Sequence, residues 1–587
     1  MQNFIRCIQI DIKTLILSLI IITINILRFI GLDVSPPGFY IDEAVGALQI
    51  MCLSRDGVDF LGNPYPLFFS GASNTFYTAP YIYSQLLWTF LFGHSIYAYR
   101  SFLALVTCLT LFFLFLWARR ISNQKIALYV VFAASIVPWS FHFSRIAWDP
   151  PLAVLFLMMA LWATQLKRFY FIAGFFLALA CYSYSPLRLG AIIMGSLLPS
   201  ITWRKKCICA CVFVVSCIPL FLQMQNPEFL SRTHNLLIWS ESARNQYYGS
   251  NYLGLLIIIC KQFLSYLSPH FLFVNGDSNL RHSVPSFGML SWLDAFAFAG
   301  GILFLVYRKF SGREIINKNS WEISFLVVAF LGIFASILPA ALTNEGNPHA
   351  LRSISAWPFF ALITGLALYK IGDYWKKNVI FSLTIIIGIS FFTTYLLRYF
   401  KEYPQLASAA FSVESEPLAL AYYDLTKNKS DCRTGISNTR KNLEIPKINS
   451  GQSILFSAQG RGNKYLGDGW HSPEVWGVWS NGLNSKLNIP LSDPLPKKIE
   501  FTIQAFVTPH APKQTIEIWI NNAQFKTINL IDGKPLLIAL SLPSGLIPDQ
   551  NLLIELRTPN PYSPVQAGIS LTDTRQLGLG LISIRFD

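Results

Sequence analysis

Acidic side chains are scarce in this chain. Asp and Glu number 31 against 46 Lys and Arg, and charge of either sign occupies only 13% of 587 residues. With 53% hydrophobic and 15% aromatic residues, that excludes an ordinary soluble protein and points to a polytopic α-helical membrane protein. The excess of base gives a net charge of +15. Its Lys and Arg are dispersed among hydrophobic segments, which fits membrane orientation signals and argues against nucleic acid as a partner. Metal-ligand spacings are also missing. Cys207, Cys209, Cys211 and Cys217 share one apolar run, where a small hydrophobic thiol is a better reading than a zinc ligand. Cys432 is the single cysteine of the tail, which therefore holds no internal disulfide framework. No two histidines have the i, i+4 spacing of a helical zinc motif.

What is present divides in two. Apolar runs continue to about residue 398, which gives a membrane domain over 1–400 and a polar tail over 401–587. The first run, Thr14 to Ile30, lacks a small-residue cleavage site and reads as a retained anchor. Arg6 and Lys13 ahead of it place the N-terminus in the cytoplasm. Residues 78–92 are short for a span of about 20 residues and rich in aromatics, so they read as an interfacial helix. If they do not cross, every later basic cluster falls on the cytoplasmic side. These are Arg119, Arg120 and Lys125; Lys167 and Arg168; Arg204, Lys205 and Lys206; Arg308, Lys309, Arg313 and Lys318; and Lys370, Lys376 and Lys377. That pattern gives about eleven spans with the tail outside. Residues 252–268 are long enough to span, but crossing would invert the later clusters, so they read as interfacial or re-entrant.

In the tail the period changes to two. SILFSAQ (453–459), KIEFTIQAFV (498–507), TIEIWINN (515–522), LLIEL (552–556) and LGLISIRF (579–586) alternate apolar and polar between Pro, Gly and Asn turns. This predicts a jelly-roll-like β-sandwich. WHSPEVWGVWSNG (470–482) brings Trp470, Trp476 and Trp479 together. Their faces would suit sugar stacking, but at least two of the three are expected in the sandwich core.

The chemistry gathers on the outer face. Tyr40-Ile41-Asp42-Glu43, in a Pro/Gly-led loop after the first run, places two carboxylates at a membrane edge, where acids are costly and so are functional candidates. Adjacent residues project about 100° apart on a helix and oppositely on a strand, so the two need separate roles. One could be a general base for an acceptor hydroxyl, the other a holder of acceptor, cation or metal. Arg100, Arg145, Arg188, Arg281 and Arg352 on the same face suggest an anion site, because guanidinium forks match phosphate oxygens. Tyr40, Asp149, Tyr184, His270, Asp277, His282 and His349 are candidate substrate contacts. His142, His270, His282 and His349 could ligate a metal with Glu43 or Asp149, although scattered histidines more often make structural hydrogen bonds.

The acidic-pair loop, FGHSIYAYR, SRIAWD, YSYSPLRLG, LSPHFLFVNGDSNLRHSVPSFG and NEGNPHALRS, in that order, resemble the GT-C fold glycosyltransferases that use polyprenyl-phosphate sugars. The likeness is to bacterial protein O-mannosyltransferase-like members, related to lipid A aminoarabinose transferases, over roughly residues 10–400. DTRQLGLGL (573–581) is the most recognisable piece of the tail, a sandwich appended to some such enzymes. The resemblance implies inverting transfer from a polyprenyl-phosphate carrier to a glycan, lipid or protein acceptor, in a bacterial inner membrane with site and tail extracytoplasmic. It implies Asp42 as catalytic base, Glu43 as its acceptor-side partner, Arg100 as first contact of the donor phosphate, and no metal required for chemistry. The basic arrangement around the first loop of the aminoarabinose enzymes has no match here. A polysaccharide polymerase or ligase, a glycolipid transporter, and a glycan-binding protein merely anchored by its membrane part are the other readings.

Overall fold

Runs of Leu, Ile, Val and Phe with few breakers form helices that satisfy their own backbone, as a bilayer demands. The computed structural model describes residues 11–587 apart from 72–74, 197–201, 241–243, 245–250, 312–320, 345, 376, 413–416, 428–431, 433–445, 458–459, 472, 544, 548–550 and 570–574. Arg6, Arg313, Lys318, Glu345 and Lys376, the end of SILFSAQ and the start of DTRQLGLGL lie outside the described residues. Seven described helices are long and apolar enough to cross a membrane: Ile12–Phe29, Ile96–Ile121, Trp203–Gln223, Tyr252–Val274, Trp321–Ala341, Ile354–Tyr374 and Lys377–Lys401. Shorter apolar helices cover Gln124–Ile136, Pro150–Ala163 and Ile172–Ser183. The stretch expected at the interface forms the helix Ala79–Phe92, which is not among the seven and exposes Leu87, Phe90, Leu91 and Phe92 at its end. The ambiguous 252–268 run belongs to Tyr252–Val274, which is one of the seven.

Glycine sets the closest helix approaches. A Cβ on Gly174 would lie 2.1 Å from the Cys209 carbonyl oxygen, and one on Gly365 would lie 2.4 Å from a Val130 methyl. Small residues let membrane helices meet backbone to side chain. Cys209 is buried and free at such a contact, which is the packing role its apolar run suggested.

The chain divides into two compact units, residues 1–439 and 440–587. The break in composition near residue 400 comes earlier than this division, because the next helices belong to the first unit. Tyr403 donates to the Leu280 carbonyl at 2.6 Å. Ala419, Tyr422 and Leu425, on the helix Pro417–Lys427, share a core cluster with Ala44, Leu48 and Cys52. Cys432 then forms a disulfide with Cys52, 380 residues earlier. The tail's one cysteine is therefore spent on the helix that carries the acidic pair.

The second unit is a sandwich of two antiparallel sheets. One runs Asn484–Pro490, Asn551–Arg557, Gln514–Ile520, Ala523–Leu530; the other runs Ser453–Leu455, Leu579–Phe586, Lys498–Ala505, Leu536–Ser541, with Val478–Trp479 also paired to Leu579–Phe586. Alternating inward residues such as Ile489, Ile518, Ile554, Phe501, Ile503 and Ile584 fill one core. Of the three tryptophans expected mostly in that core, only Trp470 packs against it. Trp476 and Trp479 stand half-buried outside, while Val478 beside Trp479 takes the inward position.

Candidate functional site

The acidic pair lies in the first turn of a helix, Ile41–Asp56, not in a loop. Carboxylates there meet the positive end of the helix dipole. Helical geometry separates the two, and the structure gives them unlike surroundings. The Glu43 carboxylate accepts from Arg100 Nε (2.9 Å) and Nη2 (2.8 Å), from the Ala147 amide (2.8 Å) and from the Tyr40 amide (3.0 Å). Both oxygens are committed, and Glu43 is buried.

Arg100 is equally committed. Besides Glu43 it donates to the carbonyls of Leu32, Pro36 and Gly38, each at 2.8 Å, so all five of its N–H groups bind protein. Arg145 donates to the carbonyls of Leu27, Arg28, Gly31 and Ser35 at 2.8–3.3 Å. Two arginines expected at a donor phosphate are thus taken up in holding the 27–38 turn, and Glu43, expected on the acceptor side, is the buried counter-charge of Arg100. Arg28, which sequence reading passed over, makes a third staple. It donates to Asn25, Ser135, Ser140 and Ser144 and is fully buried. An arginine closing the first apolar run was the available signal, but membrane helices so often end in cations that it read as ordinary.

Asp42 faces elsewhere. It is half-buried, and its backbone carbonyl accepts from the Tyr77 hydroxyl at 2.6 Å. Its charge acts on Asp149, the residue just before the helix Pro150–Ala163. Burial, and then the Asp42 carboxylate, push Asp149 up to about 8, while Arg188 pulls the other way. Arg188 donates through Nε to the Cys181 carbonyl at 3.4 Å and lies over the Phe229 ring at 5.2 Å. Neither Nη group hydrogen-bonds to any described residue. Two carboxylates and a guanidinium whose Nη groups bond to no described residue therefore act on one another through their charges.

A second group adjoins it through aromatic rings. The Tyr40 hydroxyl accepts from Arg281, whose guanidinium lies 4.4 Å from the Tyr40 ring centre. Tyr40 meets Trp148 edge-on at 5.9 Å, and Trp148 lies 5.9 Å from His282. The Trp148 indole N–H is buried without a partner among the described residues. His282 lies 4.4 Å from His349 and bonds through Nδ1 to Asp277 at 3.0 Å. Asp277 also accepts the Asn279 and Ala350 amides at 2.8 and 2.7 Å. Burial raises Asp277, but the His282 bond and charge outweigh it, and the carboxyl is held below its usual range. Burial, then His282 and Arg352, push His349 well below the ordinary histidine value, so it is neutral at pH 7. Arg352 joins this group through its amide, which donates to His349 Nδ1 at 3.3 Å, and through Nη1, which donates to Thr343 at 2.8 Å.

Asp277, His282 and His349 place ligand atoms within 4.8 Å of one another, which is close enough to share a cation. The surroundings fit one less well, since Arg281 and Arg352 both act on His349 with positive charge. His142 serves structure: it is buried and bonds through Nε2 to the Arg281 carbonyl at 2.8 Å. His270 is exposed and pairs with Asn275 at 3.0 Å, away from the trio. Tyr184 closes the helix Ile172–Ser183, half-buried against the core.

Residues 445–587 match the family model described as a domain of unknown function, DUF7024. No curated protein matches the chain. Among solved structures, the chain is similar to ArnT from Cupriavidus metallidurans bound to undecaprenyl phosphate. The identity is 14% and the TM-score 0.40, with 75% of this chain and 82% of that one covered. It is also similar to the apo oligosaccharyltransferase of Archaeoglobus fulgidus, at 14% identity and a TM-score of 0.39, covering 73% of this chain and 59% of that one. The same figures hold for the oligosaccharyltransferase AglB of that organism with an inhibitory peptide and a dolichol-phosphate.

Proposed function

We propose that the chain is a multi-pass, inverting glycosyltransferase. It would move a sugar from a polyprenyl-phosphate carrier to an acceptor hydroxyl at the extracytoplasmic face. The observation that carries this reading is Asp42, the member of the acidic pair outside the buried Glu43–Arg100 clasp, set beside Asp149 and Arg188. Asp42 takes the proton from the acceptor hydroxyl. The resulting oxygen attacks the anomeric carbon as the bond to the carrier phosphate oxygen breaks, so a single displacement inverts the centre. The phosphate leaves with the lipid and gains charge, which arginines in a poorly solvated site stabilise. Arg188, Arg281 and Arg352 are the cations assigned to it, with Tyr40, His282 and His349 as hydrogen-bonding neighbours. Arg100 and Arg145 act as positioning residues through the turn they hold. Asp149 belongs on the acceptor side.

The Cys52–Cys432 disulfide supports the sidedness, since such bonds persist in oxidising compartments. It ties the acidic helix to the segment around Cys432. No metal step is assigned, because the arginines beside the Asp277 group already supply positive charge. EDTA should leave the rate unchanged, and a chelator-sensitive rate restored by a divalent ion would move that group from phosphate to metal. The reading is tested by mass spectrometry of glycolipids and glycoproteins from a deletion strain. Loss of one glycosylated species, restored by the wild-type gene and not by Asp42→Asn, supports it; an unchanged profile contradicts it.

A further inference from the structure

Two motifs of the tail, about a hundred residues apart in sequence, meet on one face of the sandwich. WHSPEVWGVWSNG supplies the strand Val478–Trp479, and DTRQLGLGL runs into the strand Leu579–Phe586. Trp479 pairs with Gly580, and Gly580 pairs on its other side with Gln504, so the three form one cross-strand row. Inward neighbours Ile503, Ala505, Leu579 and Leu581 are core, so this row faces out. An outward sheet face is ordinarily polar, yet here it carries aromatics. Trp476 and Trp479 meet edge-on at 5.0 Å, and Phe506 stands 6.0 Å beyond Trp479.

The glycine in the row is required. A Cβ on Gly580 would lie 2.7 Å from the far edge of the Trp476 ring and 2.8 Å from Gln504 Cγ. Trp476 thus lies down on the strand, and its indole N–H donates to Glu474 at 2.9 Å. Glu474 in turn accepts from Arg575 at 2.8 Å, and both remain about a third exposed. One side chain from each motif makes this ion pair. The fourth indole of the unit is a useful contrast: Trp519 is capped by the Arg557 guanidinium at 3.9 Å. Among the described residues, no cation covers Trp476 or Trp479.

We infer that the Trp476–Trp479–Phe506 face with its Glu474–Arg575 rim is a saccharide-binding site. The negative face of an indole attracts the polarised C–H groups of a pyranose ring. A carboxylate beside a guanidinium offers acceptor and donor to neighbouring hydroxyls, in charge-assisted bonds. Tethering Trp476 through its N–H fixes the platform beforehand, so binding orders little. The site lies wholly within residues 470–580 and does not depend on the transfer reaction.

The test uses the full-length protein in nanodiscs, applied to an array of defined neutral and acidic oligosaccharides. Retained sugars are then titrated by tryptophan fluorescence. Wild type should retain a subset, and loss of that binding on substitutions that leave every residue of the membrane site in place separates this site from the membrane one. Trp479→Ala and Arg575→Ala should each weaken binding at least tenfold, and Trp519→Ala should not. Should Trp479→Ala melt early, Trp479→Phe with an unchanged melting temperature decides: it keeps an aromatic face and should lose only a few-fold. No oligosaccharide retained by wild type, or equal retention by Trp479→Ala and Arg575→Ala, would overturn the inference.

Discussion

Glu43 and Arg100 are each 0% exposed in their side chains and bonded only to protein. Removing one partner of a buried ion pair strands the other and costs about 3–5 kcal/mol. Arg100→Ala should therefore lower the melting temperature in detergent and the yield. An Arg100 that bound donor phosphate would instead raise KM with stability intact. Asp149 gives a pH prediction. Its carboxyl ionises at about 8 in the folded chain, against an ordinary 3.8. The unfolded chain therefore loses that proton first. Stability should decline as pH rises from about 4 to about 8 and level off above. Asp149→Asn should flatten that decline and remove an ionisation near pH 8 from the rate profile. A profile unchanged by the substitution would take Asp149 out of the site.

At the scale of elements, the acidic helix is fastened at both ends. Its first turn is clasped by Arg100 through Glu43, and Cys52, in its last turn and a half, is joined to Cys432. Loss of a native disulfide typically costs about 2–5 kcal/mol. Cys52→Ser, or reduction of the wild type, should lower the melting temperature, and mass mapping should find the linked peptides. Free thiols at both positions in folded protein would contradict the pairing. The helix itself was hard to read from sequence, because residues 43–53 are all buried and no amphipathic stripe marks them. The separation of Asp42 from Glu43 was legible, since it follows from helix or strand geometry alone. Which of the five arginines held backbone carbonyls was not legible, because guanidiniums look alike until their acceptors fold around them.

At the scale of the whole molecule, composition was enough to separate a helical membrane part from a β-rich tail, and period-two runs found the strands at 453, 498, 514, 551 and 579. The period-two runs missed the two-residue Val478–Trp479, and also Asn484–Pro490, Ala523–Leu530 and Leu536–Ser541, whose exposed positions carry mixed residues. The boundary was placed near 400 because the helices that follow are too short and polar to resemble spans, yet they pack with the membrane unit. Asp42 lies on the helical turn that the buried Arg100 clasps through Glu43. The direct measurement is sugar transfer by purified Asp42→Asn in proteoliposomes supplied with polyprenyl-phosphate-linked sugar and a membrane extract as acceptor. Melting temperature and polyprenyl-phosphate binding should match wild type, while transfer falls by about 10²-fold or more, the scale of a lost general base. Transfer at the wild-type rate would contradict the account.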